Sequence, residues 1–212
     1  MKGKVMLKYD HFIFDFDGTL SDSYASFVKA AMMISEKYGV PAEEAQVYHL
    51  LKKYSTVYLF DTLPFGDVRD TAYAEFGKLS KELLAREAEM IEGTVELLEY
   101  IAQNGGKSYV YSHSGDIVRK NAERWGIDRY FTDYMLGGKN YPRKPAPDAL
   151  LALVRRNGLD LSRSVMIGDR DVDVLAGSNA GMAGILIDDE GFYPDLCVDF
   201  RVDSLIKVKD CI

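Results

Sequence analysis

The chain has 212 residues, 47% of them hydrophobic and 28% charged, which suits a soluble globular protein of one medium domain or of a core with a small appendage. Its formal net charge of −7 argues against a general nucleic-acid binder, which carries a basic excess or patch. An anionic ligand would be drawn in by local positive charge, not by the field of the whole molecule.

The start, Met1-Lys2-Gly3-Lys4, is basic, but the apolar stretch behind it is broken by Lys8, Tyr9, Asp10 and His11. It has no signal-peptide core, and no run in the chain is long enough to span a bilayer. The expectation is a cytoplasmic protein that engages neither membrane nor nucleic acid. The first element is Phe12 to Phe16, an apolar run with the length and composition of a buried strand. It carries Asp15, is followed at once by Asp17, and is broken by Gly18-Thr19. Burying either carboxylate unpaired costs several kcal/mol, on the order of what a whole domain has to spare. A divalent cation with oxygen ligands is the natural compensation.

From Ser21 to Met90 the pattern is helical throughout. Tyr24, Phe27, Val28, Ala31 and Ile34 fall at helical spacing, and Lys37 to Pro41 ends that helix. Further helices are predicted over Ala42–Lys53, Thr56–Thr62, Val68–Gly77 and Ser80–Met90. So long an insertion exceeds what one crossover between parallel strands needs, roughly a dozen residues. Residues 21–90 therefore read as a helical subdomain inserted into a core made of 1–20 and 91–212. Within that core, strands are predicted at Lys107–Tyr111, Tyr134–Leu136, Ser164–Ile167 and Gly184–Ile187. Helices Val95–Gln103, Asp116–Trp125, Ala146–Asn157 and Asp173–Asn179 alternate with them. This alternation predicts an α/β, Rossmann-like parallel sheet with helices on both faces. Cys197 and Cys211 close the chain in no ligand-like spacing and read as reduced thiols.

In an open parallel sheet, ligands bind at the carboxyl ends of the strands. Asp15 and Asp17 follow the first strand, Ser112 another, and Asp169 and Asp173 a third, within Gly168-Asp169-Arg170-Asp171-Val172-Asp173. Lys144 lies in the loop Arg143-Lys144-Pro145-Ala146-Pro147, just before a helix. Singly, each has an ordinary reading: Ser112 as a turn residue or cap, Lys144 as a solvated lysine, the late aspartates as helix-start acids. Their joint occurrence at successive strand ends points to a site.

These four motifs resemble those of the haloacid dehalogenase superfamily, in particular its small phosphatases with a helical cap. The resemblance covers nearly the whole chain, including the position of the helical insertion. It implies that Asp15 is a nucleophile that forms an aspartyl-phosphate and that Asp17 is the general acid and base. It implies Mg²⁺ held by Asp15, the main-chain carbonyl of Asp17 and Asp169, with Asp173 orienting Lys144 or a metal-bound water. Ser112 and Lys144 would bind phosphoryl oxygens, joined by His113 and by the N–H groups of His113 and Ser114 at a helix start. The implied partner is a small phosphorylated metabolite. An aspartate at 17 favours an oxygen leaving group over halide. Two departures stand out: Ser112-His113-Ser114 where phosphoglycolate phosphatases often have Thr-Asn-Lys, and Arg170 where many relatives carry a small residue. A mutase of the β-phosphoglucomutase type and a regulatory protein that accepts phosphate on Asp15 are the alternatives. In the cap, Tyr54, Tyr58, Arg69 and Tyr73 are specificity candidates, and Phe60, Leu63 and Phe65, around Pro64-Gly66, are read as a mobile loop. The oligomeric state is left open.

Overall fold

The computed structural model describes residues 5–137 and 140–212. The chain divides into two compact units, one made of the segments up to Ser21 and from Met90 to Ile212, the other of Asp22–Glu89.

The first unit is built on β1 (His11–Phe14), in which Phe12, Ile13 and Phe14 are all fully buried. A strand buries consecutive side chains only when both faces of its sheet are covered. Each such side chain contributes about 1.5–3 kcal/mol. β1 pairs in parallel with β4 (Lys107–Ser112) and β6 (Ser164–Gly168). Outside them lie β5 (Phe131–Leu136), β7 (Ala183–Ile187) and β8 (Phe200–Val202), in the order β5-β4-β1-β6-β7-β8. Side-chain alternation sorts the two faces. Phe12, Phe14, Val110, Val165 and Ile167 pack with Leu97 and Ile101 of α5 (Thr94–Gln103) and Val118 and Ala122 of α6 (Ile117–Arg124). Ile13, Tyr109, Tyr111 and Met166 pack with Leu150 and Leu153 of α7 (Asp148–Asn157) and Ala176 and Ala180 of α8 (Asp171–Ala180). The core is thus the Rossmann-like α/β sandwich expected. β8 and the 3₁₀ turn Leu205–Cys211 lie outside that expectation; a three-residue strand of half-exposed residues leaves too little pattern to read.

The second unit is all-helical: α1 (Tyr24–Lys37), α2 (Glu44–Lys53), α3 (Thr56–Thr62) and α4 (Arg69–Glu87). Two-residue strands β2 (Ser21–Asp22) and β3 (Glu89–Met90) pair with each other where the chain passes between the units. Two expectations are corrected in this unit. The helices predicted over Val68–Gly77 and Ser80–Met90 are one helix, α4. Its buried Ala72, Phe76, Ser80, Leu83 and Leu84 form one continuous stripe, and that packing outweighs the roughly 1 kcal/mol penalty of Gly77 in its interior. Phe60, Leu63 and Phe65 do not form an exposed face. All three are buried, and Phe60 stacks on Phe65 at 4.8 Å between ring centroids, because aromatic area of that size is worth more inside a small helical core. Among the described residues no helix is long and apolar enough to cross a membrane. The thiols of Cys197 and Cys211 are free.

Candidate active site

β1 ends at Phe14, two residues earlier than expected, because the chain turns there. The Asp15 N–H still donates to the Ile167 carbonyl of β6 at 2.8 Å. The Phe16 carbonyl then accepts from Leu20 N–H (3.0 Å) and Ser21 N–H (2.9 Å), and Gly18, at φ +84°, lets the chain double back. This turn sets the Asp15 side chain, 8% exposed, at the carboxyl end of the sheet, and leaves Asp17 half-buried beside it. The turn also directs Thr19, whose hydroxyl donates to Asp169 Oδ1 at 3.1 Å.

Lys144 reaches the same point from the loop before α7, and its ammonium is fully engaged. It donates to Asp15 Oδ1 (2.7 Å), the Tyr111 carbonyl (2.8 Å) and Asp173 Oδ1 (2.9 Å), and lies 4.3 Å from the centroid of the Tyr111 ring. A lysine has three donors, so its geometry here is fully determined. Its loop is tied to α8 by Asn179, which donates to the Pro145 carbonyl at 2.9 Å. Asp173 serves two masters: Oδ1 takes Lys144, and Oδ2 accepts the Arg170 N–H at 3.1 Å, closing the first turn of α8. Gly168 makes room for it. A Cβ at Gly168 would lie 2.3 Å from the Asp173 Cβ.

Ser112 is the last residue of β4 and is almost fully buried. Its Oγ accepts the Ser114 N–H at 3.0 Å. His113 Nε2 accepts the Lys144 main-chain N–H at 3.0 Å. An imidazole that accepts must be unprotonated there, and burial, helped by Lys144, Arg143 and Arg170, pushes its pKa down to about 3. The Ser114 hydroxyl donates to Asp17 Oδ2. α6 begins only at Ile117, and the Ser114 N–H is already taken by Ser112.

The carboxyl groups of Asp15, Asp169 and Asp173 each bring an oxygen within 4.8 Å of the others, and all three residues are buried. Lys144 pairs with two of these carboxyls, those of Asp15 and Asp173, and Asp17 lies near enough to act on Asp15. Burial drives the Asp15 carboxyl well above its ordinary range; Lys144 opposes this, while Asp173, Asp169 and Asp17 add to it. Burial raises Asp173 in the same way. Burial works against charge on Lys144 too, but Asp15 and Asp173 outweigh it and hold the ammonium above the ordinary lysine value. Crowded hard oxygen donors with an excess of negative charge are the donor set that Mg²⁺ prefers.

A family model described as haloacid dehalogenase-like hydrolase matches residues 12–187, from β1 through β7. The chain belongs to the haloacid dehalogenase-like hydrolases. It is 32% identical over 182 residues to a phosphoglycolate phosphatase of Vibrio parahaemolyticus, covering 80% of this chain and 79% of the relative. Over the same length it is 30% identical to a phosphoglycolate phosphatase of Agrobacterium fabrum, covering 82% and 78%. A haloacid dehalogenase-like family hydrolase from Streptococcus pneumoniae shares the fold, with a TM-score of 0.87 at 19% identity, covering 97% of this chain and 99% of that one.

Within this haloacid dehalogenase-like hydrolase, Asp15, Asp17, Ser112, His113, Lys144, Asp169 and Asp173 converge at one end of the sheet. Sequence reasoning gave no role to Thr19 or to the Ser114 side chain. Thr19 could have been found as the hydroxyl that directly follows the turn glycine. The cap candidates lie in the helical unit. Tyr54 and Tyr58 are exposed and stack at 4.3 Å. Arg69 pairs with Asp61 (2.7 Å) and Asp70 (2.8 Å) and lies over the Tyr73 ring, whose hydroxyl meets Thr56.

Proposed function

We propose that this protein is a Mg²⁺-dependent phosphatase that hydrolyses a small phosphomonoester through an aspartyl-phosphate on Asp15. The observation that carries the reading is the buried contact of Lys144 Nζ with Asp15 Oδ1, which pairs a nucleophilic carboxylate with a fixed positive charge. The names of the related phosphoglycolate phosphatases support the phosphomonoester class. The carboxylates of Asp15 and Asp169 and the main-chain carbonyl of Asp17 would hold Mg²⁺, which supplies charge neutralisation between the nucleophile and the phosphoryl oxygens.

An Asp15 carboxylate oxygen attacks phosphorus, and the bond from phosphorus to the leaving oxygen breaks. That oxygen keeps the bonding pair and takes a proton from Asp17. Asp17, now ionised, takes a proton from water as the water oxygen attacks phosphorus. The bond from phosphorus to Asp15 breaks and the pair returns to the carboxylate. Lys144 stays protonated between Asp15 and Asp173 and sets its positive charge beside the phosphoryl group, whose oxygens Ser112 would bind. Asp173 orients Lys144, and His113 holds its main chain. Substrate choice is assigned to the helical unit, the role an inserted cap has in the resembling phosphatases.

The test is phosphate release from p-nitrophenyl phosphate, phosphoglycolate, sugar phosphates and nucleoside monophosphates, in Mg²⁺ and in EDTA. Metal-dependent release in the wild type, lost in Asp15→Asn, supports the reading. Isomerised sugar phosphate without net phosphate release would replace it with a mutase.

A further inference from the structure

We propose that the Ser114 hydroxyl is a positioning residue for proton transfer: it holds the Asp17 carboxyl by Oδ2, so that Oδ1 is the oxygen that gives and takes the proton. The inference rests on Asp17 being the general acid and base, as read above. Its observation is the hydrogen bond from Ser114 Oγ to Asp17 Oδ2, which joins the β4 loop to the β1 turn. The serine hydroxyl donates and the carboxyl oxygen accepts.

Ser114 is itself fixed. Its N–H donates to Ser112 Oγ at 3.0 Å, and the preceding residue, His113, is held by the Lys144 main chain at 3.0 Å. One three-residue loop therefore carries three separate devices: a buried hydroxyl at the phosphoryl site, an acceptor that seats Lys144, and a donor that seats Asp17. Asp17 needs such a device more than its neighbours do. Asp169 and Asp173 are almost fully buried and held by Thr19 and Lys144, whereas Asp17 and Ser114 are only half-buried. The terminal torsion of an aspartate is broad and two-fold, and a donor fixed on Oδ2 turns Oδ1 toward the leaving group. A hydroxyl hydrogen aimed at Oδ2 disfavours a second hydrogen there and leaves the transferable proton to Oδ1. During turnover the leaving oxygen takes the Oδ1 proton, water later returns one to Oδ1, and Ser114 keeps its own hydrogen throughout.

The experiment compares kcat/KM for glycerol 2-phosphate and p-nitrophenyl phosphate in the wild type, Ser114→Ala, Ser114→Thr and Asp17→Asn. This ratio reports the phosphoryl-transfer step. An alkoxide needs a proton to leave, while p-nitrophenolate leaves as the anion. Ser114→Ala is expected to lose about tenfold or more on glycerol 2-phosphate relative to p-nitrophenyl phosphate, the size of losing a hydrogen bond to a charged group. Threonine is expected to restore the ratio, with Tm unchanged in both variants. A loss equal on both substrates, no loss at all, or a threonine variant that fails to restore the ratio overturns the proposal. Asp17→Asn separates this from the parent reading. If it spares both substrates alike, the acid–base role of Asp17 fails; if it is selective and Ser114→Ala is not, only the role of Ser114 falls.

Discussion

Gly168 shows how much of this site depends on single atoms. The residue has an ordinary place at the end of β6, yet a methyl group there would meet the Asp173 Cβ at 2.3 Å and its Oδ2 at 2.6 Å. Neither partner can yield cheaply. The Asp173 carboxyl is held on one side by Lys144 and on the other by the Arg170 N–H. Gly168→Ala is therefore expected to displace Asp173, lower stability by about 1–3 kcal/mol and reduce turnover far more than that loss explains. Denaturant unfolding and phosphate release on the same preparation read the two effects; an alanine variant with wild-type turnover would mean that Asp173 does not orient Lys144. Residues of this kind were partly legible in the sequence. Asp15, Asp17, Lys144, Asp169 and Asp173 could be named because acids and a lysine at strand ends have a chemical reason to be there. The Ser114 hydroxyl could not, since its partner lies on a distant segment and a serine in a turn has many ordinary uses.

At the scale of elements, α4 and β5 give separate tests. Gly77 sits inside α4 with nothing within 4 Å of the place a Cβ would take. Gly77→Ala is expected to stabilise the protein by about 0.4–1 kcal/mol, since alanine costs less conformational entropy in a helix. A fall in Tm would show that the helix needs that glycine. On β5, the Asp133 carboxylate accepts from Arg156 Nε and Asn157 Nδ2 of α7, both at 2.7 Å, and from the Tyr134 N–H at 2.8 Å. Partial burial raises its pKa, but the bonds from Asn157, Tyr134 and Arg156 outweigh that and leave it below the ordinary value of 3.8. A carboxyl lowered in the fold stabilises above its unfolded pKa and ceases to do so as pH falls through the folded value. Asp133→Asn should thus lower Tm near neutrality, and its gap to the wild type should narrow as pH drops below the ordinary aspartate range. A gap constant with pH would show that the charge on Asp133 contributes nothing. The helix boundary at Gly77 was misread for a related reason: a local signal for a break is weak against a buried stripe that runs straight through it.

For the whole molecule, the parallel sheet and the helical insertion were both legible because each has a period that runs for many residues. Phe12 to Phe14 and Val165 to Ile167 read as strands buried on both faces, and that is how they lie. β8 was not legible, being short and half-exposed at the edge of the sheet. The site follows from this architecture, with acids gathered at the carboxyl ends of neighbouring strands, a charge that a cation would relieve. Mg²⁺ at a hundredfold excess over its Kd is expected to stabilise the folded protein by about 2.7 kcal/mol, several degrees in Tm, and EDTA to reverse it. Asp169→Asn should abolish the shift. A Tm indifferent to Mg²⁺ in the wild type would count against a metal among these carboxylates.

The central claim is that Asp15 carries the phosphoryl group. Acid quenching during turnover, followed by mass analysis of the peptide that contains Asp15, tests it most directly. The account predicts an acid-stable, base-labile phosphoryl group on Asp15, absent from Asp15→Asn. Turnover with that peptide unmodified, or with the label on another residue, would contradict it.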